Sequence, residues 1–155
     1  MLKKELKEKN EKYKLLETHL RNYKHYKVAT GILQKQLDYL VPGFFANYQI
    51  DHNNKIHFQL DTNSEHLQPI DRSSSLKALI IHEELIQKKI ILNSIEMSLD
   101  QLNQTEREYV DLRYFQEKSV VATSMELGYS EKYIFQLRKR VLDKLLLSLS
   151  GFLFV

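Results

Sequence analysis

The sequence contains no cysteine and no tryptophan, and only two prolines and four glycines among 155 residues. Without cysteine there are no disulfides, no thiolate zinc sites and no cysteine nucleophiles. So few glycines leave no phosphate-cradling loop of the Walker or dinucleotide type, and neither motif occurs. A long apolar run is also lacking. The apolar stretch from Leu145 to Val155 is about half of the roughly 20 residues that a spanning helix needs. Lys3, Lys4 and Lys7 mimic a charged leader, but charged residues continue to Glu17 with no apolar core behind them. The expectation is a cytoplasmic protein that does not engage a membrane. With 43% hydrophobic and 28% charged residues, it is a soluble globular chain of one domain, or of a compact domain plus an arm.

A strong net charge is missing too, since the total is only +3. Its distribution is uneven. Residues 1–40 carry ten Lys/Arg against five Asp/Glu, residues 41–75 two against four, and residues 76–104 three against four. Within residues 130–144 the balance is five against two. Positive charge is therefore concentrated in an N-terminal arm and in one short C-terminal stretch, which is the pattern that matters for a phosphate backbone.

The spacing of apolar residues divides the chain into an N-terminal helical arm over 1–41, a polar linker or small hairpin over 42–75, and a helical domain over 76–155. In the arm Leu2, Leu6, Tyr13, Leu16, Leu20 and Tyr23 recur at helical steps, and Leu33, Leu37 and Leu40 resume the stripe. This predicts one long helix, or two joined near Gly31, ended by Pro42-Gly43. So narrow a stripe is covered either by the rest of the chain or by a second copy. In the middle, Tyr48 and Ile50, then Ile56, Phe58 and Leu60, alternate with polar residues. A three-residue loop pairing Asp51 with Lys55 puts Tyr48, Ile50, Ile56 and Phe58 on one face, unless the segment is irregular. A further helix over Leu76–Leu102 follows Ser73-Ser74-Ser75. Its stripe is Ile81, Leu85, Leu92, Ile95, Leu99 and Leu102, widened by Leu79, Ile86, Ile90 and Met97.

The last fifty residues are the most informative. Thr105-Glu106-Arg107-Glu108 has the form of a capping box opening a helix over Glu106–Phe115, with Tyr109, Val110, Leu112 and Phe115 available to a core. Ser119 is placed to cap a short helix containing Val120, Val121, Ser124 and Leu127. Gly128 then ends it in a left-handed turn. Ser130 caps the next helix, whose inner face is Ile134, Leu137, Val141 and Leu145. A short helix, a turn beginning with glycine and a capped helix form the pattern of a helix-turn-helix over 119–145. At about 100° per residue, Lys132, Phe135, Gln136 and Lys139 fall opposite the inner face, with Tyr133 and Arg140 on one flank and Arg138 on the other. Candidate base contacts are Lys132, Tyr133, Phe135, Gln136 and Lys139, because Gln suits adenine edges, Lys guanine edges and Phe a thymine methyl. Candidate phosphate contacts are Ser130, Arg138, Arg140 and Lys144.

Leu112-Arg113-Tyr114-Phe115, Glu126-Leu127-Gly128-Tyr129-Ser130, Ile134, Gln136-Leu137 and Leu142-Asp143-Lys144-Leu145 resemble region 4 of bacterial sigma factors. That region reads the −35 promoter element and contacts RNA polymerase. Thr123 stands where the family usually has an aliphatic residue. Glu131, Lys132 and Phe135 replace the family's contact residues while Gln136 matches, so a different target sequence is implied. The whole chain, with Leu16, Leu20, Tyr23 and Tyr26 in a leading helix ahead of that unit, resembles the RinA/ArpU family of phage regulators. This resemblance implies an activator of late packaging and lysis genes in a host bacterial cell. Its partners would be double-stranded DNA and host RNA polymerase, and a homodimer or other homo-oligomer is expected. Two other readings stay open: a DNA-packaging recognition protein like the small terminase subunit, and a protein-interaction module that does not bind DNA.

Catalytic and metal chemistry is not expected. His52, His57 and His66 lie among Asp51, Asp61 and Glu65 at no ligand-set spacing. His82 is expected at the edge of a packed face. Glu83-Glu84 reads as a solvated helix surface rather than an acid/base pair. No cofactor is implied.

Overall fold

The computed structural model describes residues 1–40, 48–50, 56–58 and 72–153. These are mainly helical: α1 (Leu2–Arg21), α2 (Tyr23–Leu40), α3 (Arg72–Leu99), α4 (Gln104–Val110) with a π-helical turn over Asp111–Phe115, α5 (Val120–Leu127) and α6 (Glu131–Leu153). Among the described residues, no helix is long and apolar enough to cross a membrane. Strands β1 (Tyr48–Ile50) and β2 (Ile56–Phe58) pair antiparallel, with Ile50 opposite Ile56 and Tyr48 opposite Phe58. The expected pairing of Asp51 with Lys55 and the histidine positions His52 and His66 lie outside the described residues.

The N-terminal stripe makes two helices, but the break comes at Asn22 and not near Gly31. Asn22 keeps helical dihedrals, its amide bonds to the Thr18 carbonyl at 3.0 Å, and Tyr26 N bonds to its own carbonyl at 2.9 Å. Gly31 sits inside α2 with nothing within 4 Å of where a Cβ would stand, so no close approach demands a glycine there. α3 starts at Arg72, taking in the three serines that were expected to precede it.

The chain forms two compact units, residues 1–27 with 90–155, and residues 28–89. In the second unit, Leu33 and Leu37 of α2 are buried with Ala78 and Leu85 of α3, and Leu40 and Ile81 pack alongside. Gln34 accepts a hydrogen bond from Lys89 at 3.4 Å. His82 is fully buried rather than at an edge. The first unit has the larger core: Tyr13, Leu16 and Leu20 of α1, Ile95, Leu102, Tyr109, Val110 and Tyr114, and the inner face of α6. The middle of the α1 stripe is thus covered by its own chain, while Leu2 and Leu6 are exposed. The broad stripe expected on α3 is narrower than it reads, since Ile90 and Met97 are exposed. Leu149 is buried, and the side chains of Phe152 to Val155 lie outside the described residues.

Candidate nucleic-acid interface

Local chemistry builds the two helices of the motif. Ser119 Oγ accepts from Ala122 N at 3.1 Å, opening α5. Gly128 ends it at φ +72°, its amide returning to the Ser124 carbonyl, and Ser130 Oγ accepts from Tyr133 N at 3.2 Å to open α6. Ile134, Leu137, Val141 and Leu145 are buried, as their spacing requires. α4 is capped differently from expectation. The capping box is formed by Asn103 and Glu106, not Thr105 and Glu108: Asn103 Oδ1 accepts from Glu106 N at 2.9 Å, and Glu106 Oε2 accepts from Asn103 N at 3.0 Å. The helix continues into a π-helical turn, whose Gln116 N to Asp111 O bond spans 2.8 Å, and it closes at Glu117 with φ +54°. Glu117 is a non-glycine residue in the left-handed region, so a left-handed residue stands on either side of α5, Glu117 before it and Gly128 after it.

The outward face of α6 carries Lys132, Phe135, Gln136 and Lys139, all exposed. Phe135 is 57% accessible, an aromatic ring left in water on an otherwise polar face. Lys132 and Lys139 form no ion pair among the described residues. Beside this face Tyr133 stacks obliquely on Tyr129, ring centroids 4.5 Å apart. Its hydroxyl accepts from Arg140 Nη2 at 3.1 Å, and the Arg140 guanidinium lies 5.8 Å from its ring centroid. Ser130, at the head of the helix, is exposed.

Three of the four expected phosphate contacts, Arg138, Arg140 and Lys144, pair with carboxylates of the chain itself. Arg138 is directed onto Glu17 of α1, with Nε to Oε1 at 2.8 Å and Nη2 to Oε2 at 3.0 Å. Tyr114 donates to the same carboxylate at 2.8 Å. Burial pushes the Glu17 carboxyl up, but the bonds from Arg138 and Tyr114 and the charges of Arg138 and Arg21 outweigh it, leaving Glu17 below its ordinary value. The Arg138 guanidinium is correspondingly held charged by Glu17. Lys144 Nζ lies 2.9 Å from both oxygens of the buried Glu106, and Arg140 Nε approaches the same carboxylate at 3.6 Å. Glu106 also sits below its ordinary value: burial raises it, and Lys144, the Asn103 amide and Arg140 together lower it further.

A third link ties α1 to α6. Tyr13 donates to Asp143, Lys9 pairs with Asp143 at 2.8 Å, and the Arg138 guanidinium lies 5.6 Å from the Tyr13 ring centroid. The reading helix is thus braced along one side by Tyr13, Glu17 and Tyr114 and on another by Glu106. None of these four was singled out for the site from sequence. Glu17 carried the only available signal, an acidic residue among the apolar positions of the α1 stripe.

Residues 98–145 match the family described as Sigma-70, region 4. No curated protein and no solved structure matches the chain. α1 lies outside the matched segment, although its Tyr13 and Glu17 hold the helix within it. Over residues 98–145 the chain therefore carries a sigma region 4-like helix-turn-helix, of the kind that binds DNA.

Proposed function

We propose that this protein is a sequence-specific regulator of transcription that lays α6, over residues 131–145, into the major groove of double-stranded DNA. One observation carries the reading. The second helix of the motif buries Ile134, Leu137 and Val141 while presenting Lys132, Phe135, Gln136 and Lys139 to solvent. Gln136 is suited to an adenine edge, Lys132 and Lys139 to guanine edges or adjacent phosphates, and Phe135 to a thymine methyl. Tyr133, braced by Arg140, borders the same groove. Ser130 and the first amides of α6 suit a phosphate, and Arg140 a second. Arg138 and Lys144, engaged by Glu17 and Glu106, orient the helix.

The resemblance to the RinA/ArpU regulators extends this reading to activation of phage late packaging and lysis genes inside the host cell. The sigma-like unit offers a surface for recruiting host RNA polymerase. The test is selection of bound duplexes from a randomised pool, followed by footprinting on the DNA flanking its own gene. An enriched motif that recurs in the footprint is the expected result. Equal affinity for the selected duplex and its scrambled counterpart would refute sequence-specific reading.

A further inference from the structure

A helix lying in a major groove has a phosphate backbone on each side, so its flanks call for cations as its outward face calls for base contacts. On one flank of α6 stands Arg140, no nearer than 3.6 Å to its carboxylate neighbour Glu106. On the other flank Arg138 has Nε and Nη2 committed to Glu17. The outward face raises a second question. Lys132, Gln136, Lys139 and Asp143 follow one another in steps of four, three and four, so this stripe ends in a carboxylate. The Asp143 side chain is 39% exposed, and a phosphate beside it would be repelled.

Helix α1 answers both points, and it lies in the same compact unit as α6. Tyr13 reaches Asp143 while Glu17 reaches Arg138, so α1 runs antiparallel to α6 along the flank that Arg138 marks. Lys9 Nζ stands 2.8 Å from the Asp143 carboxylate and 5.5 Å from the Tyr13 ring centroid, with its side chain 48% exposed. Burial raises the Asp143 carboxyl. The bonds from Lys9 and Tyr13 and the charges of Lys9 and Lys139 outweigh it and leave Asp143 below its ordinary value, ionised and able to hold Lys9 in place.

We infer that Lys9 is a phosphate-binding residue of the DNA interface, contributed by α1 from outside the sigma region 4-like segment. It supplies a cation on the flank where Arg138 is tied to Glu17, and it cancels the carboxylate that closes the outward stripe. Two lysines around one aspartate leave that end of the stripe positive. The ammonium has three donors, of which Asp143 and the Tyr13 hydroxyl take at most two, so one is left for a phosphate oxygen. A lysine there positions the duplex and carries no base preference. The inference rests on the reading of α6 as a groove-binding helix, but not on that helix preferring any sequence.

The test is the salt dependence of binding by the full chain to a selected duplex and to its scrambled counterpart. Lys9→Ala should lower the slope of log K against log salt by about 0.9 and weaken both duplexes alike, about five- to tenfold at about 0.1 M salt. Lys9→Arg should keep the parent slope. Because Lys9→Ala also bares Asp143, the double variant Lys9→Ala/Asp143→Asn decides between two roles. A lost phosphate contact leaves its slope low. A lysine that only neutralises Asp143 is no longer needed there, and a return to the parent slope would overturn the inference. Phosphate ethylation interference gives a local readout: Lys9→Ala should lose a single contact, on the strand opposite the one lost in Arg140→Ala. A loss spread over the whole site, as undocking of α1 would give, or no loss at all, would overturn it too. Equal affinity of the parent for the two duplexes sinks the sequence-specific reading of α6 and leaves this contact measurable. An unchanged slope in Lys9→Ala sinks the contact alone.

Discussion

Glu17 is the residue whose removal tests the bracing of the reading helix most directly. Its side chain is 9% exposed, while that of Arg138 is 34% exposed. Truncating one partner of a fully buried ion pair costs about 3–5 kcal/mol, chiefly by stranding the other charge. Arg138 is a third accessible and regains water, so Glu17→Ala should cost about 2–3 kcal/mol, including the buried Tyr114 hydroxyl left without its acceptor. Glu17→Gln keeps an oxygen for Tyr114 and loses only the charge, about 1–2 kcal/mol. Urea denaturation of the parent, Glu17→Gln, Arg138→Met and the double variant closes a cycle whose coupling should be about 1.5 kcal/mol. The pH dependence has a fixed sign. Because the Glu17 carboxyl is lowered in the folded protein, its contribution is complete above the unfolded value of about 4.3 and is lost as pH falls through the lower folded value. The gap between parent and Glu17→Gln should therefore be full at neutral pH and narrow in acid. A coupling under about 0.5 kcal/mol, the limit for independent sites, would refute the brace, as would a gap that survives full protonation.

Other perturbations probe the motif itself. Thr123 is fully buried in α5 with Oγ1 lacking a hydrogen-bond partner among the described residues. Thr123→Val should raise stability by about 1 kcal/mol, read as an increase in Tm of about 2–4 °C, and a decrease would show that the hydroxyl is satisfied. Gly128→Ala meets nothing within 4 Å, so its cost is backbone strain alone, about 1 kcal/mol. Glu117→Gly, at the other left-handed position, should gain a similar amount, and both are measured by denaturant midpoints. Gln136→Ala should relax base preference at one position of a selected site, costing about 1–3 kcal/mol on the preferred duplex only. Lys139→Ala should weaken all duplexes alike and reduce the salt slope of binding by about one.

What could be read from the sequence was whatever local chemistry determines. Ser119, Gly128 and Ser130 each act on backbone atoms a few residues away, so the motif and its inner face of Ile134, Leu137 and Val141 follow from spacing. The capping of α4 was legible only in part, because Asn103 and Thr105 are each followed three residues later by glutamate. The outcome favours Glu106, which Lys144 and Arg140 of α6 also hold, a choice that tertiary contacts make. The break at Asn22 replaced one expected at Gly31 because a helix interior tolerates a lone glycine at about 1 kcal/mol, and nothing at Gly31 requires one. The carboxylate partners of Arg138 and Lys144 were not legible, because they are remote in sequence and no periodicity reveals such pairs.

The distance along the chain between α1 and the helix it braces affects how the protein is made. Glu17 and Arg138 are separated by 121 positions, and Tyr13 and Asp143 by 130. At about 5–20 residues per second, a ribosome leaves α1 waiting on the order of 10 s before α6 emerges. Throughout that interval Tyr13, Leu16 and Leu20 lack the α6 side chains that cover them in the folded protein. The helix-turn-helix, closed by a few residues of turn, can form as soon as it is synthesised, whereas α1, made well before it, is locked in place only afterwards.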